Sequence, residues 1–169
     1  TTGVDPITGT AKNDMIKGVV SGLSSANTLN GADVIDGGEG TDTLSVAMSA
    51  DFSGMTAGAG SVKNVEVLDI TNDSASTRSF DTTGISGLKT VKVDTNDQAF
   101  TVADLESTNL RVELSNADET KTVTLTYATL DGTSVNAGTS DSLALTLNDV
   151  GTAEVKNAAG TVTTAQKTL

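Results

Sequence analysis

Aspartates recur at nine-residue intervals near the start of the chain: Asp5 and Asp14, then Asp33, Asp42 and Asp51. The best-formed of them close glycine-bearing turns, Gly31-Ala32-Asp33 and Gly37-Gly38-Glu39-Gly40-Thr41-Asp42. An ionised carboxylate only accepts, and glycine admits the positive-φ conformations that swing backbone carbonyls toward it. Such a turn is an oxygen cage suited to a hard cation. Calcium takes six to eight oxygens in flexible geometry, whereas magnesium demands a stricter octahedron and keeps its waters. Coulomb's law points the same way. Carboxylates stacked at a strand spacing of about 4.8 Å repel by roughly 3 kcal/mol at an effective dielectric near 20, so something positive must sit between them.

Residues 37–45 fit the nonapeptide GGxGxDxUx at every specified position, the pattern of a calcium-binding parallel β-roll. After Asp42, Leu44 points one way and Thr43 and Ser45 the other, giving a short strand with an apolar inner side. Each nine residues then make half a coil. Asp33 keeps the pattern's fourth, sixth and eighth positions, while Lys12 stands where the turn before Asp14 should carry Gly. Residues 18–27 occupy one more unit, with an inserted residue and no Asp. Asp14 and Asp33 thus fall about one coil apart, and the expected first site joins their two turns. A second site involves the Asp42 turn. Asp51 continues the Asp33 column, although Ser53 sits where an apolar residue is expected. The candidate metal-ligating residues are Asp5, Asp14, Gly31, Asp33, Gly37, Glu39, Gly40, Asp42 and Asp51, and Asp33→Ala is expected to lower calcium affinity. The plain alternative is a row of solvated Gly-Asp turns without metal.

The 169 residues suffice for one domain, yet Phe52, Phe80, Phe100 and Tyr127 are the only aromatics. A core of Val, Ile, Leu and Ala suits a solenoid, where small and branched side chains stack in ladders. A net charge of −12 disfavours nucleic acid and anionic membrane surfaces, both of which reward clustered Lys and Arg, and favours bound cations. The chain has neither Cys nor His, so it lacks disulfides, thiolate sites and the usual zinc ligands. No apolar run approaches a membrane span, and a start at Thr1 without Met reads as a piece of a longer protein.

These features predict an all-β chain, a parallel β-roll or β-helix with short strands and Gly/Asp-rich turns. Residues 1–46 form the nonapeptide roll, 47–63 a Gly/Ala/Ser-rich connection or widened coil, and 64–169 a solenoid with coils of about 21 residues. Leading strands open at Leu88, Leu110, Leu130 and Val150, after a first at 64–70. Second strands fall around Phe100, Leu125 and Leu145. Thr122–Tyr127 alternates, with Thr expected outside. Asn and Asp recur after the leading strands, at Asn72-Asp73, Asn96-Asp97, Asn116 with Asp118, and Asp141. They read either as turn residues or as a second calcium column.

The order GVDPITGTAKNDMIKG, GADVIDGGEGTDTLSV, NVEVLDITN, GISGLKTVKV resembles the calcium-binding RTX surface-layer proteins of Gram-negative bacteria, most closely the Caulobacter and Campylobacter type. The resemblance implies a secreted protein, exported unfolded by a type I system, that folds on meeting calcium and self-assembles into a lattice on the cell surface. Other parts of the full-length protein would contact lipopolysaccharide. The family's calcium turns carry over onto Asp14, Asp33 and Asp42. A spacer or ligand-binding module of an RTX adhesin is the alternative, favoured by a flat Thr array, but the Thr spacing is irregular. The roll of an RTX protease or lipase is a third reading, against which the long solenoid stands. A β-helix polysaccharide lyase would need Arg78 or Arg111 as base, and Arg stays protonated. The chain therefore reads as a non-enzyme.

Overall fold

In this computed structural model residues 1–106, 109–118, 120–128, 143–150, 155–156 and 162–164 are described. The strands follow one another as β1 (Pro6–Thr8), β2 (Met15–Val20), β3 (Val34–Asp36), β4 (Thr43–Met48), β5 (Ser61–Lys63), β6 (Val67–Asn72) and β7 (Arg78–Asp81). The remainder are β8 (Thr90–Asp94), β9 (Phe100–Leu105), β10 (Leu110–Ala117), β11 (Val123–Tyr127), β12 (Leu143–Val150), β13 (Val155–Lys156) and β14 (Val162–Thr164). Three parallel sheets form the sides of one β-solenoid: β1-β3-β5, β2-β4-β6-β8-β10-β12 and β7-β9-β11. β13 and β14 pair antiparallel. The all-β solenoid expected from the sequence is the architecture observed.

The coil itself differs from the expectation. Pro6 faces Val34 and Met15 faces Thr43, so the first coil takes 28 residues. Nine residues therefore cover one side of a three-sided coil and not half of a two-sided one. The reason lies in β2 and β4, whose inward-outward alternation runs on through Ile16, Gly18 and Val20 and through Leu44, Val46 and Met48. A chain that continues straight for six residues cannot turn back after three. Residues 18–20 of the expected Asp-less unit belong to β2, and residues 21–30 form the third side, with Leu29 buried against Gly18, where a Cβ would lie 2.9 Å from the Leu29 Cβ.

Later coils shorten. Thr43 pairs with Val67, 24 residues on, Val67 with Thr90, 23 on, and Thr90 with Arg111, 21 on. The expected 21-residue repeat holds on the long sheet only to β10, because the partner of Leu110 is Leu143. The segment around Leu145, expected to stack as a second strand, instead extends the leading sheet, and Val150 closes that strand opposite Ala117. Leu130 and Asp141 lie outside the described residues. Within 47–63, Phe52 bridges to Phe80 and β5 joins the β1-β3 sheet, so this stretch supplies two sides of the second coil.

Inward ladders build the core. Leu44, Leu68, Val91 and Val112 stack in one row and Val46, Ile70 and Val93 in the next, all essentially inaccessible. Each such side chain is worth about 1.5–3 kcal/mol by burial. Alanine contributes less than its abundance suggests, with Ala117 the one buried Ala among the described residues, while Phe52, Phe80, Phe100, Met48 and Met55 supply bulkier buried side chains. The Phe52 and Phe80 rings stack with centroids 4.7 Å apart. On β11 the alternation places Thr124 and Thr126 outward, as the pattern predicts.

Candidate metal centre

The 28-residue coil decides which carboxylates meet. Asp5 stacks on Asp33, and the Asp5 N–H donates to Asp33 Oδ1 at 2.9 Å. Asp14 stacks on Asp42, and the Asp14 N–H donates to Asp42 Oδ1 at 2.8 Å. The expected junction of the Asp14 and Asp33 turns is therefore replaced by two separate corner columns, because the coil is half as long again as an 18-residue roll allows. Asp51 joins neither. It is exposed and accepts the Ser79 N–H at 2.9 Å at the third corner. Phe52, directly after Asp51, faces the core, so the inward phase that Leu44 keeps two residues after Asp42 has shifted by one.

Asp33 and Asp42 are the buried acids, at 1% and 0% exposure. They differ in one respect. The second oxygen of Asp33 accepts the Asn30 N–H at 2.8 Å, closing its own turn. In the first coil Asp14 Oδ2 likewise accepts the Thr10 N–H at 2.6 Å and the Thr10 hydroxyl at 2.8 Å, which hold its carboxyl below the usual range. In the second coil Gly38 stands in the place of Thr10, at φ +98°, and its N–H donates to Asp36 Oδ1 at 3.2 Å instead. Asp42 Oδ2 is left buried without a hydrogen-bond partner. An unpaired buried carboxylate oxygen is costly.

Backbone oxygens crowd the same corner. A methyl group on Gly37 would lie 1.8 Å from the Asn64 carbonyl oxygen and 2.7 Å from Asp42 Oδ2. One coil earlier, a methyl on Gly9 would lie 2.0 Å from the Gly37 carbonyl oxygen and 3.1 Å from Asp14 Oδ2. Glycine at these positions lets a carbonyl from the next coil and a carboxylate from the same turn converge. Gly31 has a related role: a Cβ there would meet the Gly54 carbonyl oxygen at 3.0 Å and Thr56 Oγ1 at 2.9 Å. Gly40, at φ +126°, turns the chain over Lys12 and Asn13. The Glu39 side chain is exposed, and only its N–H enters the stack, donating to the Thr10 carbonyl at 3.1 Å.

Residues 21–52 match a family model of four copies of the RTX calcium-binding nonapeptide repeat. No curated protein and no solved structure gives a match. The RTX repeats mark calcium as the bound cation, and the geometry fits it. The donors are hard oxygens, and one buried carboxylate oxygen lacks a partner. No three acidic side chains converge on one point among the described residues, so carbonyl oxygens must complete any coordination sphere. The matched stretch includes Asp33, Asp42 and Asp51 but not Asp5 or Asp14, which the fold brings onto the same corners.

Sequence reading missed two residues of this region. Asn64 takes the place of the nonapeptide's first Gly, at φ +53°, because Gly37 N–H donates to the Lys63 carbonyl as Gly9 N–H does to that of Asp36. Glu66 takes the place of the Asp, accepting the Asp42 N–H at 2.9 Å. The signal was available only through the coil register, since Asn64-Val65-Glu66 resembles no nonapeptide. The recurrent Asn and Asp of the later corners act as turn residues: Asn96, Asp97 and Asn116 have φ of +48°, +56° and +48°. Asn72, fully buried, donates to the Ser76 carbonyl at 3.0 Å and accepts the Ser74 N–H at 3.0 Å.

Proposed function

We propose that this RTX-type solenoid is a structural segment of a secreted bacterial surface-layer protein, folding on calcium and assembling into an extracellular lattice. Calcium binding and the solenoid architecture are the ground of this reading. The observation that carries folding on calcium is the partnerless, fully buried Asp42 Oδ2 between two coils. A cation there binds the folded chain and not the unfolded one, so it stabilises the fold by mass action. We assign Asp42 Oδ2 as the first ligand, with Asp5, Asp14, Asp33 and the corner glycines shaping the neighbouring turns.

One surface feature supports assembly. Val4, Met15 and Leu23 in the first coil are 65%, 62% and 70% exposed, and exposed apolar side chains offer contact surface to a second copy. RTX repeats typify proteins exported by type I systems, which agrees with an extracellular location. Contact with lipopolysaccharide would belong to other parts of the full protein. RTX solenoids are generally structural or adhesin-like, and the chain is read as a non-enzyme on that ground.

The test compares far-ultraviolet circular dichroism and size-exclusion chromatography in excess chelator and in millimolar calcium. A chain that is disordered with chelator, then β-rich and self-associating with calcium, supports the proposal. A chain that is β-rich and monomeric in both removes the assembly reading and leaves a calcium-independent solenoid.

A further inference from the structure

We infer that the coil after the RTX repeats completes the calcium site, with the Asn64 carbonyl oxygen and the Glu66 carboxylate joining Asp42 Oδ2 as ligands, and that Lys89 ends the column. The inference rests on the calcium reading above and extends it beyond residues 21–52, where the repeat match stops.

The corner column can be followed coil by coil through the parallel register. Met15 pairs with Thr43, Thr43 with Val67, Val67 with Thr90 and Thr90 with Arg111. The residues just before them are Asp14, Asp42, Glu66, Lys89 and Leu110. Three acids are followed by a base and then by an apolar residue. The step shortens from 28 residues, Asp14 to Asp42, to 24, Asp42 to Glu66, and most of that loss arises within this turn. Six residues, Gly37 to Asp42, are replaced by three, Asn64 to Glu66. The shorter turn carries Glu where the longer one carries Asp, one methylene longer, and the carboxylate keeps its place in the stack. Its Oε2 accepts the Asp42 N–H as Asp42 Oδ1 accepts that of Asp14.

Two independent observations point to a cation at this junction. Asp42 Oδ2 is fully buried and without a partner, and the Asn64 carbonyl oxygen approaches the same side of Gly37. Asn64, at φ +53°, holds a left-handed conformation that turns this carbonyl toward the preceding coil. The next position carries its own positive charge. Lys89 Nζ lies 3.7 Å from Glu66 Oε1, and the Lys89 N–H donates to the Glu66 carbonyl at 2.8 Å. An ammonium group there takes the role of counter-ion to Glu66 on the far side, so the column needs no ion beyond the third coil.

Calorimetric titration with calcium alone tests the assignment on the unsubstituted chain, Glu66→Gln, and Glu113→Gln as a control on the outer face of the same sheet. The expected result is a weakening of one class of site by about tenfold or more in Glu66→Gln, with Glu113→Gln titrating as the unsubstituted chain. A Glu66→Gln chain that titrates as the unsubstituted one overturns the inference while leaving the repeats as the calcium site. An unsubstituted chain that takes up no calcium removes the calcium reading and this inference with it. If Glu66→Gln fails to fold, hydrogen exchange on the unsubstituted chain decides. The Glu66 and Val67 amides both donate to the Asp42 carbonyl, at 3.1 and 2.9 Å. Calcium should slow their exchange, and unchanged exchange overturns the assignment.

Discussion

Asp33 and Asp42 stand nine residues apart in the same pattern and are equally buried, yet their chemistry differs through one backbone N–H. Asp33 has Asn30 to close its turn, and Asp42 does not, because Gly38 turns its N–H toward Asp36. Two outcomes follow. Asp33→Ala, which the nine-residue spacing alone predicts to lower calcium affinity, should instead destabilise the fold by about 1–3 kcal/mol, in chelator as in calcium, because both Asp33 oxygens are hydrogen-bonded and the change leaves the Asp5 and Asn30 amides unpaired. Asp42→Asn should weaken calcium binding by about 10–100-fold and have its larger effect on stability when calcium is present. Chemical denaturation under both conditions, with calcium titrations, separates the two. Acid adds a third. The Thr10 N–H and hydroxyl lower the Asp14 carboxyl's pKa in the folded state, so that its contribution is fully present above the ordinary carboxylate value of about 4 and is lost as pH falls through the lower folded value. In chelator, the stability of the unsubstituted chain should fall in that acid range, and Asp14→Asn should show a smaller fall.

At the scale of elements, the strands were legible because alternation is local, whereas the coil was not. Leu44 after Asp42 and the Thr rows of β11 were readable directly. The coil length depended on how far β2 and β4 run before turning, and continued alternation through Gly18 and Val20 does not look like a strand when glycine occupies an inward position. An 18-residue coil pairs Asp14 with Asp33, whereas the 28-residue coil pairs Asp14 with Asp42 and Asp5 with Asp33, although the acidic residues themselves are recognisable in the sequence. Glu66 was hidden for a different reason: a shortened turn with a longer acid preserves the carboxylate while erasing the motif. The same geometry makes glycine at 37 indispensable. Gly37→Ala places a methyl 1.8 Å from the Asn64 carbonyl oxygen, a backbone atom that cannot step aside. Overpacking of this kind costs about 1–3 kcal/mol, and here it should also push apart the coils that hold the ion, lowering the melting temperature and calcium affinity together. A core change on the same rung behaves otherwise: Leu68→Ala should cost about 2–5 kcal/mol without a selective loss of calcium affinity relative to other folded variants.

Over the whole molecule, charge sets a direction along the solenoid. The acidic column of Asp14, Asp42 and Glu66 occupies the first three coils and meets Lys89 in the fourth, after which the same corner carries the apolar Leu110. Solenoids transmit stability mainly between neighbouring coils, so calcium should protect residues 1–72 strongly and β8–β11 only through their stacking on β6 and β7. Limited proteolysis with and without calcium should show cleavage moving out of the first three coils when the ion binds. The central claim is that calcium sits between the second and third coils at the Asp42 corner. Anomalous diffraction from crystals grown in calcium measures that most directly. The account predicts a calcium peak within bonding distance of Asp42 Oδ2 and the Asn64 carbonyl oxygen. Calcium peaks confined to other turns, or an ordered Asp42 corner with no peak in saturating calcium, would contradict it.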